Sequence, residues 1–136
     1  MVSKAATMIP VSADKLLAEF HGKPPASIAA LARGGEHLRF PLPDDYARLL
    51  QQMNGGEGFI GKNYLQLWSV QDFMAQNTGT YYAEAAPGLL RFGSNGGGEA
   101  FAFDIRSMPP SIVMVPFIGM ELEVTIPIAS SFDSFL

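Results

Sequence analysis

The side chains that carry most enzymatic chemistry are scarce in this chain. It has no cysteine, two histidines and thirteen acids among 136 residues. Without cysteine there is no thiol nucleophile, no CxxC redox pair and no thiolate zinc site. His21 and His37 have no second histidine at metal-ligand or catalytic spacing, and both stand beside glycine breaks that read as exposed turns. No G-x-S-x-G elbow offers an activated serine. Paired carboxylates serve acid–base hydrolysis, but thirteen acids bring some pair together by chance, so pairing alone indicates nothing.

Two glycine loops invite a phosphate-cradling reading. Such a loop needs a strand before it and a helix after it, with a lysine or the G-x-G-x-x-G spacing. After Gly96-Gly97-Gly98 comes a strand pattern with alternating Phe101 and Phe103, and no lysine is near. A hairpin turn that needs positive φ explains these glycines. Gly55-Gly56-Glu57-Gly58 reads as a helix stop followed by a loop. Glu57 and Glu99 each sit just after a glycine loop, where a carboxylate either marks a binding surface or holds the loop through backbone amides. No cofactor and no metal site is expected.

What remains is the chemistry of recognition. Residues 1–40 hold five bases and three acids, a net +2, while residues 41–136 hold four bases and ten acids, a net −6. Asp44, Asp45, Glu57, Glu99, Asp104, Glu121 and Glu123 are the expected sources of an acidic face. Such a face would steer a basic partner, and it disfavours nucleic acid. Tyr64, Trp68, Tyr81 and Tyr82 are the expected aromatic anchors, provided no helix covers them. No secretory leader or spanning segment is legible, so a cytoplasmic, single-domain protein without a membrane partner is expected.

The elements that must position these residues follow from periodicity. Ser12 to Phe20 reads as a short capped helix with Leu16, Leu17 and Phe20 as its stripe. Ser27 caps a second helix through Ile28 and Leu31, expected to end at Gly34-Gly35. After Leu42, Pro43 suits the first helical position, and Asp44 and Asp45 favour the positive end of the dipole. Tyr46, Leu49, Leu50 and Met53 then make one apolar face. The period changes to two in Tyr64–Trp68, and Ser69 with Asp72 opens an inserted helix. Strands are expected at Leu89–Gly93, Glu99–Ile105, Ile112–Phe117 and Glu121–Ile126, before a closing turn that starts at the Ser130 and Asp133 pair. The expected class is α+β: an antiparallel or mixed sheet of about 4–6 strands, N-terminal helices, one inserted helix and a short C-terminal helix.

Four segments resemble one family. Leu42-Pro-Asp-Asp-Tyr-Ala-Arg-Leu-Leu50 with Asn54-Gly-Gly-Glu57 is similar to the helix motif of the SUKH superfamily, the Smi/Knr family of domains. Tyr64–Ser69 resembles its strand-then-helix segment, Pro87–Asp104 its hairpin, and Ile128–Leu136 its closing helix. The resemblance covers residues 24–136 and leaves 1–23 as an N-terminal helical extension. It implies non-enzymatic work and offers no catalytic residues. Single-domain bacterial members of this kind are similar to immunity proteins, which neutralise a cognate toxin, often a nuclease, by binding it. A regulatory or scaffold domain binding another cellular partner is the alternative, and a small-ligand-binding domain is a third.

Overall fold

The computed structural model describes residues 20–60, 62–118 and 125–136, and for Tyr81 and Tyr82 the backbone alone. Along the chain run β1 (Phe20–Gly22), α1 (Ile28–Leu38), α2 (Asp44–Leu50), β2 (Gly56–Ile60), β3 (Asn63–Leu67), α3 (Val70–Gln76), α4 (Tyr81–Ala85), β4 (Leu89–Ser94), β5 (Glu99–Asp104), β6 (Ser111–Pro116), β7 (Ile126–Ala129) and α5 (Phe132–Phe135). The seven strands form one sheet in sequential order, each antiparallel to the next. The class is α+β, with more strands than the sequence indicated.

The extra strands have physical explanations. Gly56 and Gly58 occupy the inward, buried positions of β2, so its own side chains give no apolar alternation. Phe20 of β1 pairs with Gly58, and its ring lies against Gly56, filling the space those glycines leave. Phe20 therefore belongs to a strand, not to a helical stripe; the rest of the expected Ser12–Phe20 helix lies outside the described residues. At the other edge, β7 runs through Pro127, which an edge strand tolerates. Most of the strand expected over Glu121–Ile126 also lies outside the described residues.

Four helical expectations need correction. Helix α1 is capped by Ser27, whose Oγ accepts from the Ala30 N–H at 3.0 Å, but it continues through Gly34-Gly35 to Leu38. A Cβ on Gly34 would lie 2.8 Å from Val70 Cγ2, so glycine lets α1 approach α3 closely. That contact offsets the roughly 1 kcal/mol that a helical glycine costs. Helix α2 starts after Pro43, which is its N-cap and not its first residue. Between β3 and β4 there are two helices, not one. The closing helix is capped by Ser131 with Ser134, one residue later than expected.

One face of the sheet carries the main core. The Tyr46 ring, fully buried on α2, meets Phe73, Phe92, Phe103 and Phe132 at centroid distances of 5.1–5.9 Å. These edge-on and tilted contacts suit aromatic quadrupoles. Leu65 and Leu67 of β3 point into this cluster, as their alternation requires. A second, smaller cluster lies on the opposite face, built from Ala86, Leu89, Ala100, Ala102, Val113 and Val115. Both faces of β4–β6 are therefore buried.

Candidate partner-binding site

Strand alternation and register decide which predicted residues meet. The row His21, Glu57, Gln66, Ser94, Ala100, Val115 crosses six strands on the face opposite the aromatic core. Its first two members are exposed, Gln66 is half-buried, and the last three are buried. The sheet is thus open over β1–β3 and covered over β4–β6 on the same face.

The open end carries a defined cluster. Glu57 and Phe59 share the outward side of β2, and Tyr64 stands directly opposite Phe59 on β3. The Tyr64 hydroxyl donates to Glu57 Oε2. This hydrogen bond, with the charge of Glu57, raises the Tyr64 phenol above its ordinary range. Phe59 meets Tyr64 edge-on, centroids 5.0 Å apart and planes at 75°, and remains 54% exposed. On its far side Tyr64 is backed by Gly96, whose φ is +76° and where a Cβ would lie 3.0 Å from Tyr64 Cδ2. The glycine loop therefore turns a hairpin and seats an aromatic ring. Sequence reasoning found Glu57 and Tyr64 but missed Phe59, because the glycines of β2 disguised the strand that presents it.

Trp68, two residues beyond Gln66, is half-buried and already has a partner. The guanidinium of Arg91 sits 5.8 Å from its ring centroid. Arg91 is buried on β4 and donates through Nη2 to the Gln76 carbonyl and, at 3.3 Å, to Thr80 Oγ1. The Asn77 amide holds the same strand: its Oδ1 accepts from the Arg91 N–H at 2.9 Å, and its Nδ2 donates to the carbonyls of Arg91 and Phe73 at 2.8 and 2.6 Å. This cation at the C-terminal end of α3 suits the negative end of the helix dipole. A lone arginine in Leu89-Leu-Arg-Phe92 gave no sign of burial.

The remaining predicted residues are dispersed. Asp44 is exposed at the start of α2, in the helical layer on the other side of the sheet. Asp45 accepts from the Tyr46 N–H at 2.8 Å and from the Asp133 N–H at 3.0 Å, which ties α2 to α5. Burial and the neighbouring Asp45 push the Asp133 carboxyl above its usual range. Glu99 accepts from Asn95 Nδ2 at 2.7 Å and holds the 94–98 turn. Asp104 is nearly buried, and Arg106 grips both its oxygens at 2.9 and 2.7 Å, which lowers its carboxyl pKa. Tyr81 and Tyr82 open α4. Glu121 and Glu123 lie outside the described residues. Among the described strand residues, Glu57 is the one exposed carboxylate.

A profile of the SMI1 / KNR4 family (SUKH-1) matches residues 25–136. The chain belongs to the SMI1/KNR4 family. A comparison with curated proteins finds none that matches it. In this SUKH-1 chain, the matched region takes in α1, both sheet faces and the Glu57–Phe59–Tyr64 cluster, and it leaves β1 just outside. Among the described residues, no three His, Asp or Glu come together to hold a metal, and no helix is long and apolar enough to cross a membrane.

The cluster adjoins a receptacle. The ladder between β3 and β4 holds only the pairs Gln66–Ser94 and Leu67–Gly93, so the first half of β3 overhangs the sheet. A cleft of about 500 Å³ opens there, floored by Leu65, Phe101, Met114 and Phe135, with Lys62 and Asn95 also among its lining residues. Its mixed apolar and polar lining suits the capture of an amphipathic side chain.

Proposed function

We propose that this SUKH-1 domain is a non-enzymatic immunity protein, acting in the cytoplasm by stoichiometric binding of a cognate bacterial toxin of nuclease type. The observation that carries the reading is the open half of the sheet, where an exposed phenylalanine, a half-buried tyrosine and a carboxylate stand together in a domain of the SMI1/KNR4 family. Aromatic anchors beside a charged group are the usual make-up of an interface hot spot. A net charge of −4 favours a basic partner, and a nuclease presents a basic cleft to its substrate.

The test is co-expression with nuclease-type toxin domains encoded beside this gene. Protection of the host cell and a one-to-one complex on size exclusion are expected. If the cells die, and no complex forms with any of those domains, the reading fails.

A further inference from the structure

Trp68 shows how this fold satisfies an aromatic ring on the outer sheet face: Arg91 lies against it, with the guanidinium's hydrogen bonds supplied by the chain itself. At Phe59 and Tyr64 the same ingredients recur, namely aromatic rings and an acceptor, but the acceptor is the anionic Glu57. Among the described residues no lysine or arginine forms an ion pair with Glu57. The carboxylate is also held ready. Tyr64 anchors Oε2 and so orients Oε1, while Phe59 on one side and Gly96 on the other fix the Tyr64 ring.

We propose that Glu57, Phe59 and Tyr64 form a receptor for an arginine side chain of the protein partner. The guanidinium pairs with Glu57 while its plane lies on the exposed Phe59 ring. Arginine fits better than lysine because its planar, weakly hydrated head stacks on aromatics and donates through several fixed N–H groups. The inference rests on the protein-binding reading and assigns it a contact.

The full chain, labelled with nitrogen-15, is titrated with N-acetyl-arginine N-methylamide, and amide shifts are followed by NMR. Saturable shifts are expected at residues 57–59 and 64–66 and at His21. The citrulline analogue has nearly the same shape without the charge, and it should bind about tenfold more weakly, as should Glu57→Gln against the arginine probe. Phe59→Ala should weaken the probe several-fold, and the lysine analogue should also bind several-fold more weakly. Both variants change exposed side chains, and a native-like spectrum confirms that each is folded before it is titrated. The proposal is overturned if arginine and citrulline act alike, if Glu57→Gln titrates like the parent, if no shift saturates, or if shifts spread equally to Glu36, Asp44 and Asp72. The outcome is separable from the toxin assay: protection without this titration would place the toxin contact elsewhere, and titration without protection would leave the receptor standing.

Discussion

The two halves of the outer sheet face solve the same problem in opposite ways. Over β4–β6 the small residues Ala100 and Ala102, with Val113 and Val115, are buried to 3% exposure or less. Beside them Arg91 is enclosed against Trp68. Over β1–β3 the same row of the sheet ends in exposed His21 and Glu57, with Phe59 standing 54% exposed beside them. An aromatic residue on this face therefore has two meanings. Where the chain provides the cover and the cation, the ring is part of the fold. Where the described residues provide neither, the ring is available to another molecule.

Replacing one residue in each half tests that contrast most directly. Arg91→Ala should cost about 3 kcal/mol in urea unfolding, because it removes charge-assisted hydrogen bonds and leaves the Gln76 carbonyl and the Trp68 ring without their contact. Phe59→Ala should change stability by about 0.5 kcal/mol or less while weakening a partner by about 2 kcal/mol. If the two variants destabilise equally, the open half is structural as well.

Acid titration sharpens the comparison in the covered half. Arg106 depresses the Asp104 carboxyl, so its contribution is present above the unfolded value of 3.8 and is lost as pH falls through the lower folded value. Asp104→Asn should cost about 1 kcal/mol at neutral pH and flatten the stability profile below pH 3.8. Asp133 contributes with the opposite sign: its carboxyl is raised, so its ionisation destabilises the fold as pH rises through and above 3.8.

The smallest effect concerns the aromatic core behind both halves. The Tyr46 hydroxyl is buried with no hydrogen-bond partner among the described residues, and burial pushes its phenol far above the usual range. Tyr46→Phe should therefore be neutral or stabilising by up to about 1 kcal/mol in calorimetry.

How much of this was legible in the sequence differs by element. Helix α2 was, because Asp44 and Asp45 mark its start and Tyr46, Leu49 and Leu50 repeat at helical spacing, although it ends at Leu50, short of the expected Met53. The β5–β6 ladder was too, from plain alternation. Strand β2 was not, since its inward positions are glycines whose space is filled by Phe20 from a neighbouring strand. Gly34 reads locally as a helix stop, and only Val70, far along the chain, explains why the helix goes on. At the candidate site, Glu57 and Tyr64 were nominated separately; the hydrogen bond that joins them exists only once β2 and β3 are paired. Asp45 and Asp104 could be identified as acids, but their internal partners could not be read without the fold.

The sequential order of the strands has a kinetic consequence. Each strand pairs with its neighbour in sequence: β2–β3, β4–β5 and β5–β6 close through short loops, whereas β1–β2 and β3–β4 are each bridged by two helices. The aromatic cluster cannot follow that order. Tyr46 meets Phe132 at 5.1 Å, and the Asp45–Asp133 hydrogen bond closes a separation of 88 residues. A nascent chain can thus assemble most of its ladder on the ribosome while one side of the Tyr46 ring remains wet. Burying that side of the ring waits for α5, which must reach back across the chain to α2.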